Sequence, residues 1–91
     1  MNNDIKLIKD IKEGKNYQAD DFKIYYRNKD TISGDNSENK AEIIYLITGS
    51  AEITIENAVW EAEAPAKIEI PAKTYHKIRA LSDIGFVLFE K

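Results

Sequence analysis

From residue 21 onward, apolar and polar residues alternate with a period of two, as in strands that bury one face. Phe22, Ile24 and Tyr26 alternate with Lys23, Tyr25 and Arg27, which predicts a half-buried strand with the first three on the core side. The stretch 41–48 departs from simple alternation, because Ile44 and Leu46 interleave with Ile43, Tyr45 and Ile47. Both of its faces are apolar. One should meet the core and the other a second sheet layer or a partner subunit. Gly49-Ser50 then fits a two-residue hairpin turn with glycine first, followed by a strand over 51–57 with Ile53 and Ile55 inward. Asn57-Ala58 predicts the next tight turn, after which Trp60, Ala62 and Ala64 face inward against Glu61 and Glu63. Small residues beside one indole describe a wall with space in front of it, although an aromatic core plug gives the same pattern.

Pro65 interrupts the ladder. Ile68 and Ile70 alternate with Lys67 and Glu69, Pro71 to Thr74 turn the chain, and a strand over 75–81 carries His76, Ile78 and Ala80 on one face and Lys77 and Arg79 on the other. The one histidine of the chain should therefore point inward. A last strand runs from Ile84 to Glu90. Residues 1–20 are less determinate: Ile5, Leu7 and Ile8 fit a short strand or one turn of helix, read here as a strand over 5–8 before a turn at Gly14. Residues 28–40 hold many turn formers and one strong hydrophobe, Ile32, and read as a long exposed loop. Seven or eight short strands at close spacing predict an all-β, antiparallel sandwich or barrel. Ninety-one residues have room for one core, so the expected organisation is a single domain, 1–91, with an arm over 1–20 and a barrel over 21–90.

Thirteen basic and sixteen acidic residues give a net charge of −3, with both signs scattered. No basic stripe is available for a phosphate backbone, which argues against nucleic acid. Lys6, Lys9, Lys12 and Lys15 recur every three residues, but Asp4, Asp10 and Glu13 are mixed among them, as on a solvated segment. No apolar run approaches the roughly eighteen residues of a membrane span. Cysteine is absent, which removes disulfides and thiolate chemistry, and the expected location is cytoplasmic. A domain this small is marginal by itself. With the two-sided apolar strand 41–48, that leads to the expectation of a homodimer.

Two spacings in the central stretch resemble the motifs of the cupin superfamily, small jelly-roll barrels. Glu42 followed by six residues and Gly49 matches the end of the first motif, G-x5-H-x-H-x3/4-E-x6-G. Pro71 and His76, within Ile70-Pro71-Ala72-Lys73-Thr74-Tyr75-His76, match the second, G-x5-P-x-G-x2-H-x3-N. The resemblance covers roughly residues 34–81 and implies a jelly-roll barrel with Glu42 and His76 in one cavity. The departures are as informative. The two histidines of the first motif would fall on Asp35 and Ser37, or on Asn36 and Glu38. Pro65 and Lys73 stand in place of glycines, and Ala80 in place of asparagine. With one histidine in the chain, the ligand set of three histidines and a glutamate that metal-dependent cupins resemble one another in using is impossible.

Glu42 and His76 are thus the candidate catalytic pair, and Tyr26, Glu42, Trp60 and His76 the candidate ligand-binding set. Two ligands are too few for a tight transition-metal site, and a third would have to come from Asp35 or Glu38. No cofactor is expected. An inward histidine is commonly a hydrogen-bonded interior group; its position in the motif is what gives it a functional reading. Three functions fit: a binding protein for a small polar ligand such as a sugar, a metal-free sugar or sugar-nucleotide isomerase or epimerase working with Glu42 and His76 as acid and base, and a non-catalytic dimeric scaffold whose cavity is filled by Ile44, Leu46, Ile53 and Ile55. Binding ranks first.

Overall fold

The computed structural model describes residues 4–91. Among the described residues ten strands run in chain order: β1 Lys6–Ile11, β2 Gly14–Gln18, β3 Lys23–Arg27, β4 Ile32–Asn36, β5 Glu42–Thr48, β6 Ser50–Ile55, β7 Ala58–Glu63, β8 Ala66–Ile70, β9 His76–Ala80 and β10 Ile84–Glu90. All pairings are antiparallel. They form a six-stranded sheet, β1-β2-β3-β10-β5-β8, and a four-stranded sheet, β4-β9-β6-β7. The two sheets face each other as a jelly-roll barrel, the all-β antiparallel class that the period-two pattern predicts.

The strand count exceeds the expected seven or eight because two polar stretches pair. The arm is a hairpin, β1 against β2, with Leu7 opposite Tyr17 and Ile11 opposite Gly14, so the strand expected over 5–8 reaches Ile11. Within the predicted loop 28–40, Ile32–Asn36 lies on β9 as an edge strand. An edge strand leaves one row of backbone groups and most side chains to water, so it carries no hydrophobic pattern to read. Gly49 also differs from expectation. It does not close a hairpin, because β5 and β6 belong to different sheets; it is the bend where the chain crosses between them, at φ +84 with the Asp83 carbonyl oxygen where a Cβ would lie.

The core lies between the sheets. Ile44 and Leu46 of β5, Ile68 and Ile70 of β8, and Phe86 and Leu88 of β10 meet Ala51 and Ile53 of β6 and Ile78 and Ala80 of β9, all buried. Each buried isoleucine or leucine contributes on the order of 1.5–3 kcal/mol through removal of apolar surface from water. The inward parity of Ile53, Ile78 and Ala80 follows the alternation in the sequence. That of β3 does not: Tyr25 and Arg27 face inward, and Tyr26 is 52% exposed on the outer face. Tyr25 stacks on Phe86, its cross-strand partner, with ring centroids 4.9 Å apart and planes 9° from parallel. The Arg27 guanidinium lies 5.2 Å from the Tyr25 ring centroid and donates to the Tyr26 carbonyl at 2.8 Å. An aromatic stack and a satisfied arginine therefore outweigh the simple rule that places cations outside.

Candidate functional site

His76 opens β9. The turn before it is held by Asn39, whose Nδ2 donates to the Pro71 carbonyl at 2.7 Å and whose Oδ1 accepts from the Thr74 amide at 3.1 Å. The Lys73 amide donates to the Asn39 carbonyl at 2.9 Å. These bonds tie the segment before β5 to the turn before β9, so the chain around Glu42 and the chain around His76 are fixed together. Pairing then sets the directions. Glu42 has the parity of Ile44 and Leu46 and faces in, and His76, opposite Ile55 on β6 and Asn36 on β4, shares the face of Ile78.

The imidazole is 6% exposed. Its Nδ1 lies 3.0 Å from the Thr74 carbonyl. A carbonyl only accepts, so in the neutral ring Nδ1 carries the proton and Nε2 presents a lone pair. The Nε2 edge lies against the bare face of Gly34, where a Cβ would stand 2.9 Å from Nε2 and 2.8 Å from Cδ2. Gly34 has φ +85, a conformation that glycine adopts without strain.

Gly34 and His76 both line an open cavity of about 600 Å³. Tyr25, Ile44, Ile78, Phe86 and Leu88 form its apolar walls, and Ser33, Asn36, Glu38, Glu42 and His76 its polar side. The volume is in the range of small-molecule sites. Half-burial raises the Glu42 carboxyl above its ordinary value; the charge of His76 acts in the opposite direction, Glu90 reinforces the rise and Lys23 opposes it. A carboxyl and an imidazole in one partly dry cavity can bind hydroxyls or amines, or hold and release a proton.

Of the four expected site residues, the structure brings together Glu42 and His76 and leaves out the two aromatics. Tyr26 points outward, as described. Trp60 shares the face of its partner Ile53, but β7 is an edge strand with β6 between it and β9, and the indole is 42% exposed and outside the cavity. The aromatic wall comes from Tyr25 and Phe86 instead. Sequence reasoning also missed Gly34 and Asn39, which read only as turn formers; no pattern within β4 announces them.

Of the possible third ligands, Glu38 lines the cavity, while Asp35 accepts a hydrogen bond from the Tyr75 hydroxyl at 2.6 Å. Among the described residues no three of histidine, cysteine, aspartate and glutamate converge into a group that could hold a metal ion. The donor set at this position thus does not fit the four-ligand metal centre implied by the fold, and no metal enters the chemistry below.

No protein-family model and no curated protein matches the chain. Solved structures do. The capsular polysaccharide assembling protein CapF from Staphylococcus aureus is 13% identical, with a TM-score of 0.76 over 94% of this chain and 28% of that one. The Bacillus subtilis oxalate decarboxylase, a protein with Mn(II) centres, is 18% identical, with a TM-score of 0.79 over 97% of this chain and 28% of its own. A Cupin 2 conserved barrel domain protein from Salinispora arenicola is 13% identical, with a TM-score of 0.66 over 99% of this chain and 78% of its own. The chain spans less than a third of the first two proteins. Likeness at these identities establishes the fold, that of the cupin barrel.

Proposed function

We propose that this chain, a small cupin by its fold, binds a small polar molecule in the cavity between Glu42 and His76 without a resident transition metal. One observation carries the reading: a buried histidine, fixed through Nδ1 and without a partner on Nε2, lines a roomy cavity together with a half-buried carboxylate. A histidine kept only for structure would be expected to satisfy both nitrogens or to lie against packed apolar atoms. Calorimetric titration with neutral monosaccharides and small alcohols tests it. At least one is expected to bind, with affinity falling about tenfold or more in His76→Ala and Glu42→Ala, the loss of one or two hydrogen bonds. Binding indifferent to both substitutions would overturn the reading. So would about one zinc, iron, nickel or manganese per purified chain by elemental analysis.

The raised Glu42 carboxyl favours a second reading, a metal-free sugar isomerase or epimerase in which Glu42 and His76 exchange a proton with the carbon next to a carbonyl. Solvent deuterium entering a sugar in the presence of the protein, and not with Glu42→Gln, would place it first. CapF, by its description, assembles capsular polysaccharide; that likeness supports a sugar as ligand in either reading.

A second copy of this chain is the proposed partner. The outer face of the six-stranded sheet exposes Tyr26, Tyr45 and Ile47, an apolar patch of the kind two-fold interfaces cover. Light scattering should give a mass near twice 10.4 kDa; a monomer at tens of micromolar would remove the dimer, and with it the scaffold reading. Among the described residues no helix is long and apolar enough to cross a membrane. The cysteine-free composition is the ground for proposing a cytoplasmic location.

A further inference from the structure

The hydrogen-bonding character of the cavity is one-sided. Its Asn36 and Asn39 amides are turned to the backbone: Asn36 Nδ2 donates to the Gly34 carbonyl at 3.0 Å and its Oδ1 accepts from the Glu38 amide at 3.0 Å, while Asn39 is spent on the turn before His76. The other polar lining residues are Glu38 and Glu42, His76 with no partner on Nε2, and the hydroxyl-bearing Ser33 and Tyr25. No lysine or arginine lines it. Besides His76, whose charge would act on Glu42 more strongly, the cation that reaches this carboxyl is Lys23, and its ammonium lies 3.7 Å from Glu90.

A wall of acceptors, with the His76 ring neutral, is satisfied by a ligand that donates, and a half-buried carboxylate with no lysine or arginine in its cavity is best satisfied by a cation. Beyond these groups the walls are hydrocarbon: Ile44, Ile78, Phe86 and Leu88. From this complement we infer that the cavity selects a primary ammonium on an apolar body, with the ammonium between Glu42 and the Nε2 of His76 and the hydrocarbon against Phe86 and Leu88. His76, more than nine-tenths buried, makes no hydrogen bond through Nε2 within the described chain, so its lone pair points to a ligand independently of the acidic side chains. With the His76 ring neutral, the same arrangement rejects carboxylates and phosphates, since an anion would meet two carboxylates and no lysine or arginine. The phosphate-bearing sugar nucleotides are thereby disfavoured relative to uncharged or basic small molecules. The inference rests on the reading that the cavity binds a small molecule, and goes further in naming its charge.

Three probes matched in shape test it: 2-phenylethylamine, 2-phenylethanol and 3-phenylpropionate, titrated calorimetrically in buffer containing EDTA so that no stray divalent ion supplies the positive charge. The amine is expected to bind about tenfold or more tighter than the alcohol, as charge-assisted hydrogen bonds are worth more than neutral ones, and the carboxylate more weakly than either. Glu42→Gln should weaken the amine about tenfold more than it weakens the alcohol, which removes the preference for the amine. If the alcohol or the carboxylate binds as well as the amine and needs His76, the selection of charge is overturned while the cavity remains a binding site. If the amine is preferred equally in wild type, Glu42→Gln and Glu38→Gln, the attraction comes from the net charge of the surface and the inference fails. If none of the three binds, it fails as well, and the neutral sugars then judge the cavity separately.

Discussion

The two ends of the barrel are built from the same strands and have opposite character. At one end Leu46, Ala51, Ala80 and Ile84 are buried, and Arg27, opposite Ile84, is buried with its guanidinium held by the Tyr26 carbonyl and the Tyr25 ring. At the other, a few residues along β5 and β9, the inward positions are Glu42 and His76 and a cavity separates the sheets. Four residues of strand, roughly 13 Å at the usual rise, divide Ala80 from His76. The difference shows where stability and chemistry reside: the closed end holds the sheets together and allows the open end to keep polar groups partly desolvated.

The largest effect that should separate the ends is a cavity at the closed one. Leu46→Ala should cost about 2–5 kcal/mol in urea unfolding, because a fully buried leucine leaves a void its neighbours cannot fill. The folded fraction should still bind the small alcohols as wild type does. Loss of binding without loss of stability would mean that the ends are not separate in function.

Gly34→Ala makes the converse cut and should be smaller in stability and larger in binding. A residue other than glycine at φ +85 costs about 1–3 kcal/mol, and the new Cβ must displace the His76 ring, which would lie 2.8 Å away. Binding should fall about tenfold or more, the loss of one well-placed hydrogen bond. Unchanged affinity would show that the ring position is irrelevant to the ligand.

The smallest effect concerns Glu42 alone. Its carboxyl is raised by burial, so the folded chain holds that proton more tightly than the unfolded chain does. The associated stability is present below the ordinary carboxyl range and is lost as pH rises through the raised value. Glu42→Gln should therefore be more stable than wild type at pH 7, by less than about 1 kcal/mol since the group is half exposed. The gap should close toward pH 4. A variant less stable than wild type at every pH would mean that the carboxylate is paired within the protein.

How far the sequence announced this division can be judged residue by residue. His76, Ile78 and Ala80 alternate against Lys77 and Arg79, and their inward parity was legible because burial and charge agree along β9. Glu42 was legible only through the motif spacing. The β3 strand misled because both of its faces carry aromatics: the alternation favours Phe22, Ile24 and Tyr26, while the stack of Tyr25 on Phe86 joins residues 61 positions apart, which no local period encodes. Trp60 misled for a different reason. Facing the core side is not the same as reaching the cavity when the strand lies at the edge of its sheet. The polar edge strand β4 has almost no apolar residues to announce it, so Gly34, which makes room for the imidazole, was invisible until the pairing with β9 was known.

The chain has one histidine, so its imidazole nitrogens report on the open end without ambiguity. The most direct measurement is the nitrogen-15 spectrum of His76 during titration with whichever of the probe compounds binds most tightly. The expected result is a ring protonated on Nδ1 before and after, with the Nε2 resonance moving progressively to saturation as its lone pair accepts a hydrogen bond from the ligand. An Nε2 resonance unmoved at saturation, or a ring protonated on Nε2 instead, would contradict it.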